Sequence, residues 1–173
     1  MTAILKQKVS VIGLGYIGLP TAVILAEKGF EVVGVDKNEE VITSLEKGKV
    51  HIVEPNLDLL VKDVIDKNLL SLSTEVKPAD IHIIAVPTPL TDSKKADLSY
   101  VYAVANSLSR VIKSGDLIIL ESTVPVGTSE SIRDILAEER SDLNFFENDS
   151  LEEQVYIAHC PERVLPGNVI YEL

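Results

Sequence analysis

The stretch KVSVIGLGYIG, from Lys8 to Gly18, constrains the fold more tightly than any other part of the chain. Val9, Val11 and Ile12 form a short apolar run bounded by glycine, which reads as a buried strand. Gly13, Gly15 and Gly18 follow in the spacing G-x-G-x-x-G, and a helix is expected from about Tyr16 to Lys28, closed by Gly29. A second strand, EVVGVD, ends at Asp36, roughly 20 residues beyond the glycines. That order is what a dinucleotide site requires. Gly13 allows the tight turn, Gly15 lets a pyrophosphate approach the backbone, and Gly18 lets helix and sheet pack closely. The helix N-terminus supplies the positive end. Asp36 is placed to accept hydrogen bonds from the adenosine ribose, and its charge repels a 2′-phosphate, so NAD is favoured over NADP. Lys37, a cation beside the acid, weakens that preference. Glycines that only shape a turn are the competing reading, and the flanking strand, helix and acid weigh against it.

The remaining pattern repeats the alternation. Asn38 is placed to cap a helix whose inner face is Val41, Ile42 and Leu45, with Gly48 at its end. Another helix is expected from Pro55, carrying Leu57, Leu60, Val61, Val64 and Ile65 at helical spacing. LLSLS near Leu70, IHIIAV at 81–86, DLIILES at 116–122 and VYIAH at 155–159 read as strands. Helices marked by Leu98, Val101, Ala105, Leu108 and Ile112, and by Ile132, Ile135 and Leu136, lie between them. The region from Arg140 to Gln154 has no clear period and reads as a loop. Strands alternating with helices imply an α/β domain with a doubly wound parallel sheet, most simply in the order 3-2-1-4-5-6. Ligands of such sheets bind at the carboxyl ends of the strands.

At 173 residues the chain suits one domain with a real core. Its net charge of −11 argues against a nucleic-acid partner, whose phosphates demand a basic face. The single cysteine permits no internal disulfide and no multi-thiolate metal site, which fits a reducing cytoplasm. Residues 9–26 run without a charge, as a signal peptide or membrane span does. Three glycines and Pro20 within that run oppose one continuous helix. The reading is therefore of a strand, a turn and a helix, with no membrane partner.

Three further stretches fall at strand ends. VPTPL, Val86–Leu90, offers Pro87 and Pro89 as a stiff rest for a cofactor and Thr88 as a hydroxyl. In ESTVPVGTS, Glu121–Ser129, Ser122 and Thr123 are candidates to reach the nicotinamide or a reacting water, while Thr128 or Ser129 caps the next helix. His51, His82 and His159 have no metal-ligand spacing, and His82 reads as a satisfied core histidine. The last stretch, CPERVLPGNV, sets Cys160 beside Glu162 and Arg163. Cys160 reads as a small residue ending a strand rather than as a nucleophile.

Together, VIGLGYIGLPTA, HIVEPNL, AVPTPL, ESTVPVGTS and CPERVLPGNV resemble, in the same order, the UDP-glucose/GDP-mannose dehydrogenase family, and HIVEP and CPERVLPG resemble its N-acetylmannosamine branch most closely. The resemblance covers only the family's N-terminal, Rossmann-type NAD-binding domain. It implies oxidation of a sugar C6 alcohol to a carboxylate by two NAD in succession, through a thiohemiacetal and a thioester on an enzyme cysteine. It implies that Gly13, Gly15, Tyr16, Ile17, Gly18, Asp36, Thr88 and Thr123 serve the cofactor, with Thr123 also placing a water. Glu162 would stand beside the substrate in a catalytic role, with Arg163 and Val164 as substrate contacts. The substrate implied is UDP-N-acetyl-D-mannosamine. Pro166 stands where the glucose branch has a second glutamate, which argues against plain UDP-glucose. The family's nucleophilic cysteine lies in a later GGHC segment, beyond a linking helix, in a second domain; none of these is in this sequence. Residues 1–173 are thus expected to form one NAD-binding domain of a longer, homodimeric enzyme, inactive alone. A stand-alone NAD-binding or redox-sensing module is the alternative from a different class. Another UDP-sugar 6-dehydrogenase or a 3-hydroxyacid dehydrogenase are lesser ones.

Overall fold

In a computed structural model, residues 7–145, 154–165 and 167–172 are described. Six strands form one sheet in the order β3-β2-β1-β4-β5-β6, with every neighbouring pair parallel. The strands are β1 (Lys8–Ile12), β2 (Glu31–Val35), β3 (Leu70–Ser73), β4 (Ile81–Ile84), β5 (Leu117–Leu120) and β6 (Tyr156–His159). The helices are α1 (Gly18–Glu27), α2 (Glu39–Glu46), α3 (Leu57–Asp66), α4 (Ser99–Leu108), α5 (Thr128–Glu139) and a short α6 (Val169–Glu172). The expected doubly wound order is therefore the observed one. The uncharged run at 9–26 is divided between β1, the glycine turn and α1, and no described helix is long and apolar enough to cross a membrane.

The strands are short and apolar because both faces of the sheet are covered. Alternate residues feed two separate cores. Val9, Val11, Val32 and Ile83 point to the face packed by α1, α2 and α3. Ile12, Val33, Val35, Ile84, Ile118 and Leu120 point to the face packed by α4 and α5. Leu19, Leu45, Leu57, Leu108, Ile132 and Leu136 are fully buried from the helix side. Each contributes about 1.5–3 kcal/mol by leaving water. At the amino ends of the strands, Asp80 accepts from Lys8 N at 3.0 Å and from Lys113 Nζ at 3.1 Å. Lys113 Nζ also reaches Asp116 at 2.5 Å, so β1, β4 and β5 are tied together there. These bonds hold the Asp80 carboxyl below its ordinary range.

Four local expectations are corrected. Pro55 precedes α3 by two residues, because Asn56 takes a left-handed backbone (φ 61°) that a helix cannot include. Neither Thr128 nor Ser129 caps α5: Gly127 holds the cap position at φ 93°, and the Thr128 hydroxyl turns back to donate to Pro125 O. His82 is fully buried but unsatisfied, its Nε2 standing 3.7 Å from Asp116 Oδ2 and neither ring nitrogen reaching a hydrogen-bond partner. The 140–154 stretch is not wholly irregular, since Asn144 and Gln154 form a parallel bridge. Residues 146–153 of that stretch, and Pro166, lie outside the described residues.

A Cβ at Gly18 would stand 1.8 Å from Gly13 O. We expect Gly18→Ala to lose roughly 1–3 kcal/mol or more through this overlap, measured as a lower urea midpoint, whereas Gly115→Ala, with open space around it, loses only the cost of its positive φ.

Candidate functional site

Three glycines shape the turn after β1, each for a different reason. Gly13 has φ 97°, and a Cβ there would stand 2.6 Å from Ala85 O of the neighbouring strand end. Gly18 lets α1 close onto Gly13. Gly15 has nothing within 4 Å of an added Cβ, so the space above it is open. The first turn of α1 adjoins that space without a side-chain cap, and in it Leu19 N donates to Gly15 O at 3.1 Å and Thr21 N to Ile17 O at 3.0 Å, so the glycine turn runs directly into the helix. A close backbone, an open approach and a positive helix end are the features that fit a pyrophosphate. Tyr16 is exposed over the turn, and Ile17 occupies the cap position of α1.

Asp36 follows β2 and sits beside this turn. Its Oδ2 accepts from Leu14 N at 3.0 Å and its Oδ1 from Asn38 N at 2.9 Å. The carboxylate thus fixes the glycine turn while its remaining lone pairs face outward. A cleft of about 690 Å³ opens from Gly13, Gly15 and Asp36 towards α4. Val35, Val76, Val86, Val104 and Val111 give it an apolar floor suited to an adenine ring. Lys37 lies 4.3 Å from the centre of the Tyr100 ring at its edge. Pro87 forms part of the wall. A larger hollow of about 1090 Å³ lies between α5 and β6, and it borders neither the glycine turn nor Asp36. The smaller cleft is therefore the cofactor candidate.

The loops after β4 and β5 are knitted together. The Ser122 hydroxyl donates to Val86 O at 2.7 Å, and the Thr88 hydroxyl donates to Thr123 O at 2.7 Å. Ser122 is buried, which departs from the expectation that its hydroxyl reaches the nicotinamide; it braces the two loops instead. Thr88 has its one hydrogen committed and keeps lone pairs free. Thr123 has an exposed side chain at the strand ends, where the expectation put it.

Beyond β6 the chain turns across the top of the sheet. Cys160 continues the ladder through its N–H to Leu120 O at 3.0 Å and is free and exposed. Glu162 is half-buried and its Oε1 accepts from Val164 N. Arg163 is exposed and Val164 half-buried, so the three substrate candidates share one short loop. Two residues missed in the sequence shape this region. Glu54, buried in the loop before α3, accepts from Gly167 N and Val169 N, both at 2.8 Å. It anchors the start of α6 and the end of the Glu162 loop from 113 residues away. The signal was the HIVEP motif itself, but nothing in the sequence named its partner. Glu121 is the second: burial and the neighbouring Glu162 carboxylate push its pKa up to about 7, against a smaller opposing pull from Thr21. Among the described residues no three histidine, cysteine or acidic side chains gather as metal ligands.

Fold and cleft together define a dinucleotide-binding domain of the Rossmann type. Residues 7–173 match the NAD binding domain of the UDP-glucose/GDP-mannose dehydrogenase family, and the chain belongs to that family, with NAD as its cofactor. It is 50% identical over 167 residues to an NDP-N-acetyl-D-galactosaminuronic acid dehydrogenase of Ralstonia nicotianae, covering 96% of this chain and 40% of that protein. It is 52% identical over 168 residues to a UDP-N-acetyl-D-mannosamine dehydrogenase of Campylobacter jejuni, covering 96% and 41%. Among solved structures, the UDP-N-acetyl-mannosamine dehydrogenase of Staphylococcus aureus superposes with a TM-score of 0.85 at 38% identity, over 95% of this chain and 39% of that one. The chain thus spans about two fifths of the length of these relatives.

Glu54→Ala removes the acceptor of two backbone N–H groups. We expect a loss of roughly 1–3 kcal/mol, with faster hydrogen exchange at Gly167 and Val169 while the β1 amides stay protected.

Proposed function

We propose that this chain is the cofactor-binding part of a nucleotide-sugar 6-dehydrogenase that acts on UDP-N-acetyl-D-mannosamine in the cytoplasm, towards polysaccharide biosynthesis. The observation that supports the reading is that two features lie at the carboxyl ends of strands of one sheet: the glycine turn with Asp36 after β1 and β2, and the Glu162–Val164 loop after β6, whose continuation at Gly167 and Val169 is held by Glu54. Bound NAD supplies the oxidising power, accepting a hydride from the sugar C6. The chain's own residues do the rest of the work assigned here. Gly13, Gly15 and Gly18, with the start of α1, hold the pyrophosphate; Tyr16 and Ile17 border it. Asp36 takes the ribose hydroxyls, with Lys37 at the rim. Pro87 and Thr88 back the ring system, Ser122 braces that wall, and Thr123 positions a water. Glu162 faces the reacting carbon, and Arg163 and Val164 contact the sugar nucleotide.

On this reading the nucleophilic thiol, the linking helix and the sugar-binding domain of a dimeric enzyme lie outside residues 1–173. Exposed Cys160 is not assigned as that thiol, because it continues a strand ladder and no base is bonded to it among the described residues. Relatives named for N-acetylgalactosaminuronic acid support a second substrate, and both readings share a 2-acetamido hexose on a nucleoside diphosphate.

Titration calorimetry of this chain should show NAD binding more tightly than NADP, and Asp36→Asn should weaken NAD by roughly tenfold, as expected for one charge-assisted hydrogen-bond pair. Tighter NADP binding would overturn the Asp36 assignment. In an absorbance assay of NADH, a protein extended to the relatives' length should oxidise UDP-N-acetyl-D-mannosamine faster than UDP-glucose, and residues 1–173 alone should not turn over. Steady turnover by the short chain would return Cys160 to consideration.

A further inference from the structure

The loop that joins α2 to α3 touches two sites at once. His51 is exposed and lines the same cleft as Gly15 and Asp36. Glu54, three residues on, is buried and accepts from Gly167 N and Val169 N, both at 2.8 Å. Three residues of chain span about 11 Å at most, so the two contacts are close neighbours. Between them the chain is lightly held. The N–H groups of His51, Ile52 and Val53 make no hydrogen bond among the described residues, and Val53 is exposed. Val50 and Ile52 rest on the core under α1, α2 and α3. The far end is firm: Leu57 N donates to Glu54 O at 3.3 Å, and Asn56 holds its left-handed turn. A stretch without backbone bonds of its own takes its position from what packs at its ends.

The segment that Glu54 holds is closed on itself. Leu165 N donates to Glu172 Oε2 at 2.8 Å, and Asn168 Nδ2 to Glu172 Oε1 at 3.0 Å. Upstream, Val164 N donates to Glu162 Oε1, and Cys160 N ties the start of the segment to Leu120 O. We propose that Glu54 is a positioning residue that makes the placement of the Glu162–Val164 loop depend on whether the cofactor cleft is filled. The proposal deepens the reading of that loop as the substrate wall and rests on it. With NAD in the cleft, His51 borders a ligand and the 51–54 stretch is held at both ends. Glu54 then presents its two oxygens to Gly167 and Val169 from a fixed position. With the cleft empty, the stretch keeps only its apolar rest, and the two bonds open more often. A buried carboxylate suits this task, since it accepts from two N–H groups at once and keeps water from competing.

The test is amide hydrogen exchange, read by NMR on this chain with and without saturating NAD. Exchange at Gly167 and Val169 should slow by about fivefold or more when NAD is added, the lower end of ordinary coupling between sites. Gly115 N, which donates to Gln154 O at the amino end of β5, should slow less. An equal slowing at Gly115 reports only the general stabilisation that any ligand gives and overturns the proposal, as does no change at Gly167 and Val169. His51→Ala, saturated with NAD, should keep the exchange rates of the NAD-free chain at these two amides. Glu54→Ala should lose the response there while NAD still binds. A response that survives in either variant runs instead through Ile170, which packs on the same core as α1, and overturns the proposal. Should Glu54→Ala fail to fold, the unmodified chain and His51→Ala decide. Calorimetry separates the readings. NAD binding without the exchange response overturns the link alone, and no NAD binding overturns the cofactor reading and the link together. An intact response in a protein of the relatives' length that leaves UDP-N-acetyl-D-mannosamine unoxidised overturns the substrate reading alone.

Discussion

The contact between Gly18 and the carbonyl of Gly13 sets the rest of the arrangement. It draws the start of α1 down onto the end of β1, closer than any side chain permits. That approach aims the positive end of the helix at the open space over Gly15. It also leaves Gly13 against Ala85, just past β4, and the turn sits where the strand order reverses between β1 and β4. A ligand bound there lies at the topological switch of a doubly wound sheet, between α1 and α4.

Around this fixed point the strand ends are joined in pairs by side-chain bonds. Asp36 joins the ends of β1 and β2, Ser122 and Thr88 join those of β4 and β5, and Glu54 reaches the segment after β6. These bonds run between residues far apart in sequence and close in space. They turn six separate loops into three joined pairs. The opposite edge is held by Asp80, Lys113 and Asp116 at the amino ends of β1, β4 and β5. A buried defect lies near that edge, where His82 and Ser10, paired in register on β4 and β1, both lack partners.

Local signals carried most of the fold. The apolar runs at Val9, Val32, Ile83 and Ile118 and the helical spacing at Leu57, Val61 and Val64 report burial directly, so the elements and layers follow from them, and the strand order follows from their alternation and right-handed crossovers. The capping of α2 by Asn38 is equally local, with Glu40 N donating to its side chain at 2.9 Å. Errors arose where backbone conformation or a distant partner decided. Asn56 took a left-handed turn that moved the start of α3 past Pro55, and Gly127 displaced Thr128 from a cap. Within the site, the glycines and Asp36 were legible because spacing alone defines their task. Glu54 and Glu121 were not, because each depends on an element more than thirty residues away.

The spacing of Asp36 from the glycines suits a ribose acceptor, and in the fold it is also a brace for the turn, accepting from Leu14 N and Asn38 N. Changing this domain's cofactor from NAD to a 2′-phosphorylated one is therefore not a matter of exchanging one charge. A replacement that welcomes a phosphate gives up the acceptor that shapes the pyrophosphate turn, so the same exchange that widens the choice of cofactor loosens the grip on every cofactor. Cofactor discrimination in this domain is inherited together with backbone shape, and engineering one requires rebuilding the other.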